Sequence, residues 1–168
     1  MVLRPMRPED TADVARWRND PRIRSRLFSN ETITEAGHLK WLEHIHLQGR
    51  RLEFMIVDRS TERSIGTVGL SDIDWEYGHA EYGVLIGEEA AEGKGLAREA
   101  TEMILAHAFG KLGLRRVYLR VFSDNERALN LYRRVGFVQE EILRRHAYKD
   151  GLFRDVIIMA VVVEEEQD

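Results

Sequence analysis

The chain has 168 residues, 43% of them hydrophobic and 32% charged, which suits one globular domain with a substantial core. It has no cysteine, and that excludes disulfides, thiolate metal sites and a cysteine nucleophile. The net charge of −4 argues against a general nucleic-acid binder. No apolar run reaches the length of a membrane span, and "MVLRPMRPED" has no apolar signal core, so a cytoplasmic protein is expected.

"VLRPM" reads as a first strand. In "PEDTADVARWRND", Ala12, Ala15 and Trp17 suit a helix that Pro21 ends. "TITEAGHLKWLEHIHLQG" reads as a second helix, with Thr32 and Glu35 at capping-box spacing. Its inner face is His38, Trp41, Leu42 and Ile45, which leaves His44 and His46 outside. "RLEFMIVD" and "SIGTVGLSDID" form a hairpin across "RSTER", and "HAEYGVLIG" is a further strand. A helix is expected from Lys94 to about Phe109, with Leu96, Ala100, Met103, Ile104 and Ala108 on one stripe. "GLRRVYLRVF" alternates as a strand. "SDNERALNLYRRVGF" is a helix with Ser123 and Glu126 at capping-box spacing and Gly136 as its end. Two last strands, about 137–147 and 154–163, flank the turn signal Asp150-Gly151.

This order gives a single α/β domain over 1–163, a mixed sheet of about seven strands with helices on both faces. The residues 164–168, "EEEQD", form an acidic, solvated tail. No repeat or linker interrupts the domain.

"EGKGLA" places Gly93 and Gly95 between a strand and a helix. Glycines there let a backbone approach a pyrophosphate, and the helix N-terminus offers free N–H groups. It is neither a P-loop nor a dinucleotide fingerprint. Taken alone, an ordinary left-handed turn before a helix is the better explanation of it.

Together with "NERALNLYRRVGF" some thirty residues later, it resembles the GNAT N-acetyltransferase superfamily, over nearly the whole chain. That family's phosphate loop reads Gln/Arg-x-x-Gly-x-Gly/Ala; here it is Glu92, Gly93, Lys94, Gly95, Leu96 and Ala97. The later motif is matched by Asn125, Ala128, Leu131, Tyr132, Gly136 and Phe137.

The resemblance implies the GNAT fold and acetyl transfer from acetyl-CoA to an amine, by direct transfer in a ternary complex. Main-chain groups of Val84, Leu85 and Ile86 would meet the pantetheine arm. Loop 92–98, including Arg98, would hold the pyrophosphate. Tyr132 would protonate the sulfur, and Asn125 and Asn130 would contact the cofactor. Glu92 departs from the family's Gln or Arg. A side chain turned to solvent would make that departure harmless, and Glu92→Gln should then leave affinity unchanged or raise it.

Glu81 is the first candidate base, with Glu126 and His79 behind it. No His/Asp/Glu cluster has metal-site spacing, so no metal is expected. The region from Trp17 to Leu42 resembles sugar-nucleotide N-acetyltransferases that act on a UDP-linked 4-amino-4,6-dideoxy sugar. The matching residues are Trp17, Arg18, Asn19, Pro21, Ile23, Arg24, His38 and Trp41. Arg18, Arg22, Arg24 and Arg26 could meet a diphosphate, and a tryptophan could stack on sugar or base. Asp72, Asp74, Glu76 and Glu81 around Trp75 could instead hold a cation. Ribosomal-protein N-terminal and spermidine acetyltransferases share the same scaffold features, and a non-catalytic acyl-CoA-binding module is the reading from another class. A homodimer through the C-terminal strands is open.

Overall fold

The computed structural model describes residues 1–164, so most of the expected acidic tail lies outside the described residues. The strands are β1 (Val2–Pro5), β2 (Leu52–Val57), β3 (Ser64–Asp74), β4 (His79–Ile86), β5 (Arg116–Phe122), β6 (Val138–Lys149) and β7 (Leu152–Val162). The helices are α1 (Thr11–Asn19), α2 (Pro21–Arg24), α3 (Glu35–Gln48), α4 (Leu96–Gly110) and α5 (Glu126–Arg134). One sheet runs β1-β2-β3-β4-β5-β7-β6.

The element order is as read from the sequence, with differences at helix ends. Pro21 opens the short α2 as well as closing the chain's first helix, because its fixed φ suits a first turn and Asp20 caps the Arg22 N–H at 2.8 Å. Thr34, not Thr32, caps α3 by accepting from the Gly37 N–H at 3.0 Å. Asn125, not Ser123, caps α5 by accepting from the Ala128 N–H at 3.3 Å. Helix α4 starts at Leu96 rather than Lys94, since Gly95 is left-handed. Met103, placed on the stripe of α4 by its spacing, is exposed.

Two cores sandwich the sheet. Val68, Leu70, Tyr82, Val117, Leu119 and Val121 pack under α4 and α5, with Ile104, Ala108, Leu129 and Tyr132. On the other face Met55 meets Trp17, Leu42 and Ile45 of α1 and α3.

The parallel junction of β4 and β5 pairs only at His79↔Arg116, Ala80↔Val117 and Glu81↔Tyr118. Beyond it, β5 pairs only with β7. The strands therefore part, and β4 from Tyr82 to Ile86 has a strand partner on one edge alone. A wedge-shaped opening splits the middle of the sheet.

Candidate active site

The wedge is flanked by the 92–97 loop and by α5. Gly93 and Gly95 have φ of 75° and 77°, and a Cβ on either would meet nothing within 4 Å. Gly95 stands at the N-cap of α4 and no side chain caps that helix, which leaves its first N–H groups available to an anion. A diphosphate fits that chemistry and that room. The free edge of Val84, Leu85 and Ile86 lies along the same wedge and suits an extended amide-bearing arm.

Tyr132 projects from α5 into an aromatic group with Tyr82 at 6.1 Å and Phe137 at 5.7 Å. It is 8% exposed, and burial pushes its hydroxyl up to about 12. That hydroxyl makes no hydrogen bond among the described residues. The neighbouring Tyr82 hydroxyl is engaged with Thr101 Oγ1 at 2.6 Å.

The sheet face opposite α4 and α5 carries a trough. In antiparallel pairs directly opposed residues share a face. Glu53↔Gly69↔Gly83 is one such row, and Ser71↔Glu81 lies in the next. The Glu53 carboxylate lies over Gly69, where a Cβ would come within 2.7 Å of Oε2. Above Gly83 the space is open to 4 Å. Helices α1 and α3 cover this face at Met55 and Leu85. Phe28 covers it at the other side, 4.6 Å from Phe122. Between them lie Gly69, Ser71, Gly83, Glu81 and Tyr118, beside the wedge.

One wall of the trough is acidic. Glu81 accepts from Arg120 at 2.7 and 3.3 Å, and Arg120 stacks over Phe28 at 5.0 Å. Asp72 sits in the bulge of β3 at φ 48° and, with Glu81, acts on Tyr118 and Arg120. Burial first, then these two carboxylates, push the Tyr118 hydroxyl up. The other wall is basic. Glu53 is nearly buried, which pushes its carboxyl up, and Arg51 Nε donates to it at 2.7 Å. Arg18 is half-buried, desolvation lowers its pKa, and it makes no hydrogen bond among the described residues. His38 accepts from or donates to Thr11 Oγ1 through Nδ1 at 2.9 Å, while its Nε2 is buried without a partner. Burial, and then Arg18, lowers the His38 pKa.

Several expected site residues have other work. Trp17 is not a stacking platform: it is 1% exposed, its Nε1 donates to Glu88 at 2.8 Å, and its ring fills the space beside Gly87. Asn19 uses both ends of its amide on Ile33, at 2.7 and 2.8 Å, and pins the loop before α3. Arg24 is held by Asn30 O and Thr32 Oγ1. Trp41 packs on His38 and under Arg51 at the rim of the basic wall. Arg98 pairs with Glu102 on the surface of α4 at 2.7 Å, Lys94 is exposed, and Asn130 accepts from Arg133. Glu92 does not turn to solvent: it is bound by Arg22 and Arg127. Tyr118, Arg120, Phe28 and Glu53 were not singled out from sequence. The alternation of Val117, Leu119 and Val121 carries a signal for the first two, since it puts Tyr118 and Arg120 on the opposite face.

A parted β4–β5 pair, a glycine cradle at the start of α4 and a tyrosine on α5 suit an acyl-CoA-dependent transferase. The "Acetyltransferase (GNAT) domain" family model matches residues 1–138, and the chain belongs to that family. It is an N-acetyltransferase that uses acetyl-CoA. It is 32% identical to a spermidine N(1)-acetyltransferase of Escherichia coli over 95% of this chain and 84% of that protein. It is 27% identical to an uncharacterised N-acetyltransferase, p20, of Bacillus licheniformis over 98% of this chain and 94% of that one. Among solved structures, spermidine N-acetyltransferase from Vibrio cholerae in complex with CoA and spermine superposes with a TM-score of 0.91 at 26% identity. That match covers 96% of this chain and 94% of the other. A dodecameric form of the Vibrio cholerae enzyme also superposes, at a TM-score of 0.84 and 25% identity, over 96% of this chain and 92% of that one. Among the described residues no group of three His, Asp or Glu side chains could hold a metal ion, and no helix is long and apolar enough to cross a membrane.

Proposed function

We propose that the acceptor is an aliphatic primary amine of the polyamine class, reaching the wedge through the trough with its reacting nitrogen beside Glu81. The observation that carries this reading is the acidic wall: Asp72 and Glu81 bring two carboxylates to the mouth, and Arg120 offsets one. The relatives named for a substrate act on spermidine, which supports the same class. The sugar-nucleotide acceptor expected from the first helices loses Trp17, Asn19 and Arg24 to structural duties.

The chemistry follows from the positions. An aliphatic ammonium has a pKa near 10.4, so it must shed a proton before its nitrogen can attack the thioester carbonyl. Glu81 takes that proton, directly or through water. Its Oε2, on the longer Arg120 bond, is the more available oxygen. The new C–N bond forms, the C–S bond breaks, and its electron pair stays on sulfur. Tyr132 donates a hydrogen bond to that sulfur. Full proton transfer from a phenol at about 12 to a thiolate with a conjugate acid near 8.5 runs uphill by roughly 5 kcal/mol. Tyr132 therefore serves the developing thiolate first as a donor, and the sulfur's final proton balances the one lost from nitrogen.

Arg18 favours a second reading. With Arg51 it outweighs Glu53 by one positive charge, at a distance of roughly 10 Å, two strand spacings, from the β4 end of the trough. An amine carried on an anionic molecule, such as the UDP-linked amino sugar, would match both walls.

The deciding experiment is thiol release from acetyl-CoA with spermidine, the UDP-linked amino sugar and a ribosomal N-terminal peptide as acceptors. A kcat/KM at least tenfold higher for spermidine supports the polyamine reading. A preference for the sugar nucleotide or the peptide replaces it, and an absence of thiol release with all three favours a non-catalytic acyl-CoA-binding module. Self-association through the β6–β7 hairpin, where Val138, Ile142, Leu152 and Phe153 are exposed, is part of the same reading, supported by the dodecameric neighbour.

A further inference from the structure

The loop residue that departs from the family pattern is also the most heavily paired acid near the wedge. Glu92 stands at the end of a short turn, Glu89–Ala91, and receives Arg22 Nη1 on one oxygen and Arg127 Nη1 on the other. Arg22 comes from α2, and its second nitrogen donates to Gly87 O at 3.0 Å and to Asp20 at 3.3 Å. Arg127 comes from the first turn of α5 and is half exposed. The three side chains thus join the β4 side of the wedge to the β5 side, next to the uncapped start of α4.

We propose that Arg22 and Arg127 are ligands of the cofactor's diphosphate, and that Glu92 holds the place of that diphosphate in the free protein. Two observations converge on this. A guanidinium fork fits a carboxylate and a phosphate by the same geometry, so one anion can replace the other without moving the backbone. The open space around Gly93 and Gly95 puts the diphosphate beside Glu92, where two anions would repel unless the arginines change partner. Once released, Glu92 can turn outward. Its side chain is 19% exposed and belongs to a loop, not to the packed body of a helix.

Calorimetric binding of CoA and of S-acetylpantetheine, which lacks the diphosphate, to the full chain tests this. Arg127→Ala should weaken CoA about tenfold, as expected for losing a charge-assisted hydrogen bond, and leave S-acetylpantetheine unchanged. Arg22→Ala should do the same, with partial recovery in Arg22→Lys. Glu92→Gln should tighten CoA about threefold and leave S-acetylpantetheine unchanged. Wild-type CoA affinity in Arg127→Ala would overturn the proposal, and so would an equal loss for both ligands. Weaker CoA binding in Glu92→Gln would overturn the place-holding role of Glu92. Should Arg22→Ala fail to fold, Arg127→Ala decides, because its exposed side chain supports no core.

Discussion

Replacing Tyr132 by phenylalanine separates chemistry from folding. The hydroxyl has no hydrogen-bond partner among the described residues, so its removal breaks no such contact there. The ring keeps its neighbours, Tyr82 at 6.1 Å and Phe137 at 5.7 Å. Stability should change by less than about 1 kcal/mol, because a buried hydroxyl without a partner contributes little and its loss relieves desolvation. CoA affinity should stay within about twofold. The rate should not survive. Losing one donor aimed at a developing anion costs about 3–4 kcal/mol, so kcat should fall by about a hundredfold to a thousandfold.

The assay is continuous thiol release, which a chain without cysteine leaves free of background. Its pH dependence carries a second check. A hydroxyl at about 12 remains protonated through pH 10, so Tyr132 puts no falling limb on the profile below that. The rate rises with pH instead, as the amine acceptor loses its proton. A Tyr132→Phe enzyme with the wild-type kcat would refute the assignment. A falling limb near pH 8 that vanishes in Tyr132→Phe would refute the high value of its hydroxyl.

Other outcomes follow from the same geometry. Gly87→Ala would place a Cβ 2.1 Å from the Trp17 ring, so thermal denaturation should show a loss of about 3 kcal/mol or more, or no folded protein; an unchanged Tm would contradict the packing of α1 on β4. Asp10 is pushed up by burial, but the Arg4 bonds at 2.6 and 2.8 Å and the Arg7 N–H outweigh this and hold it below its ordinary 3.8. Its contribution is therefore complete above about pH 4 and lost as pH falls through the lower folded value. Asp10→Asn should cost about 2 kcal/mol at pH 7 and much less at pH 2, measured by urea unfolding. Arg18→Ala should leave spermidine turnover unchanged or faster. The same change should lower kcat/KM about tenfold for an acceptor bearing an anion, and equal effects on both would remove Arg18 from the trough.

The fold was legible because its signals are local and repeated. Alternation marks β5, the Asp150-Gly151 pair turns left-handed between β6 and β7, and two glycines before an amphipathic helix announce the cradle. Capping was harder to place. Ser123 and Thr32 have the right spacing to a glutamate, yet Asn125 and Thr34 stand closer to the true helix starts and win the N–H groups. The trough was illegible for a different reason. Glu53, Gly69 and Gly83 come from three strands, and only register brings them into one row. The arginines of the first helices could be counted in the sequence. Their partners could not, and partners decide which guanidinium is left for a ligand: Arg22 and Arg24 are engaged, Arg18 is not.

That distinction bears on what selects the acceptor. In the reading proposed above, the wedge and the cradle take the cofactor, and the far end of the amine lies beyond both. Selection falls to the trough, whose two walls differ in sign. A polycation gains at Glu81 and Asp72 and is repelled near Arg18, unless its chain stays short of β2 or leaves over Tyr118. An amine on an anionic carrier gains at both walls, but only if it is rigid enough to span them. Length therefore discriminates where charge alone does not. Among linear diamines, kcat/KM should peak at a chain that ends before the basic wall and decline for longer ones, and Arg18→Ala should restore the longer ones alone.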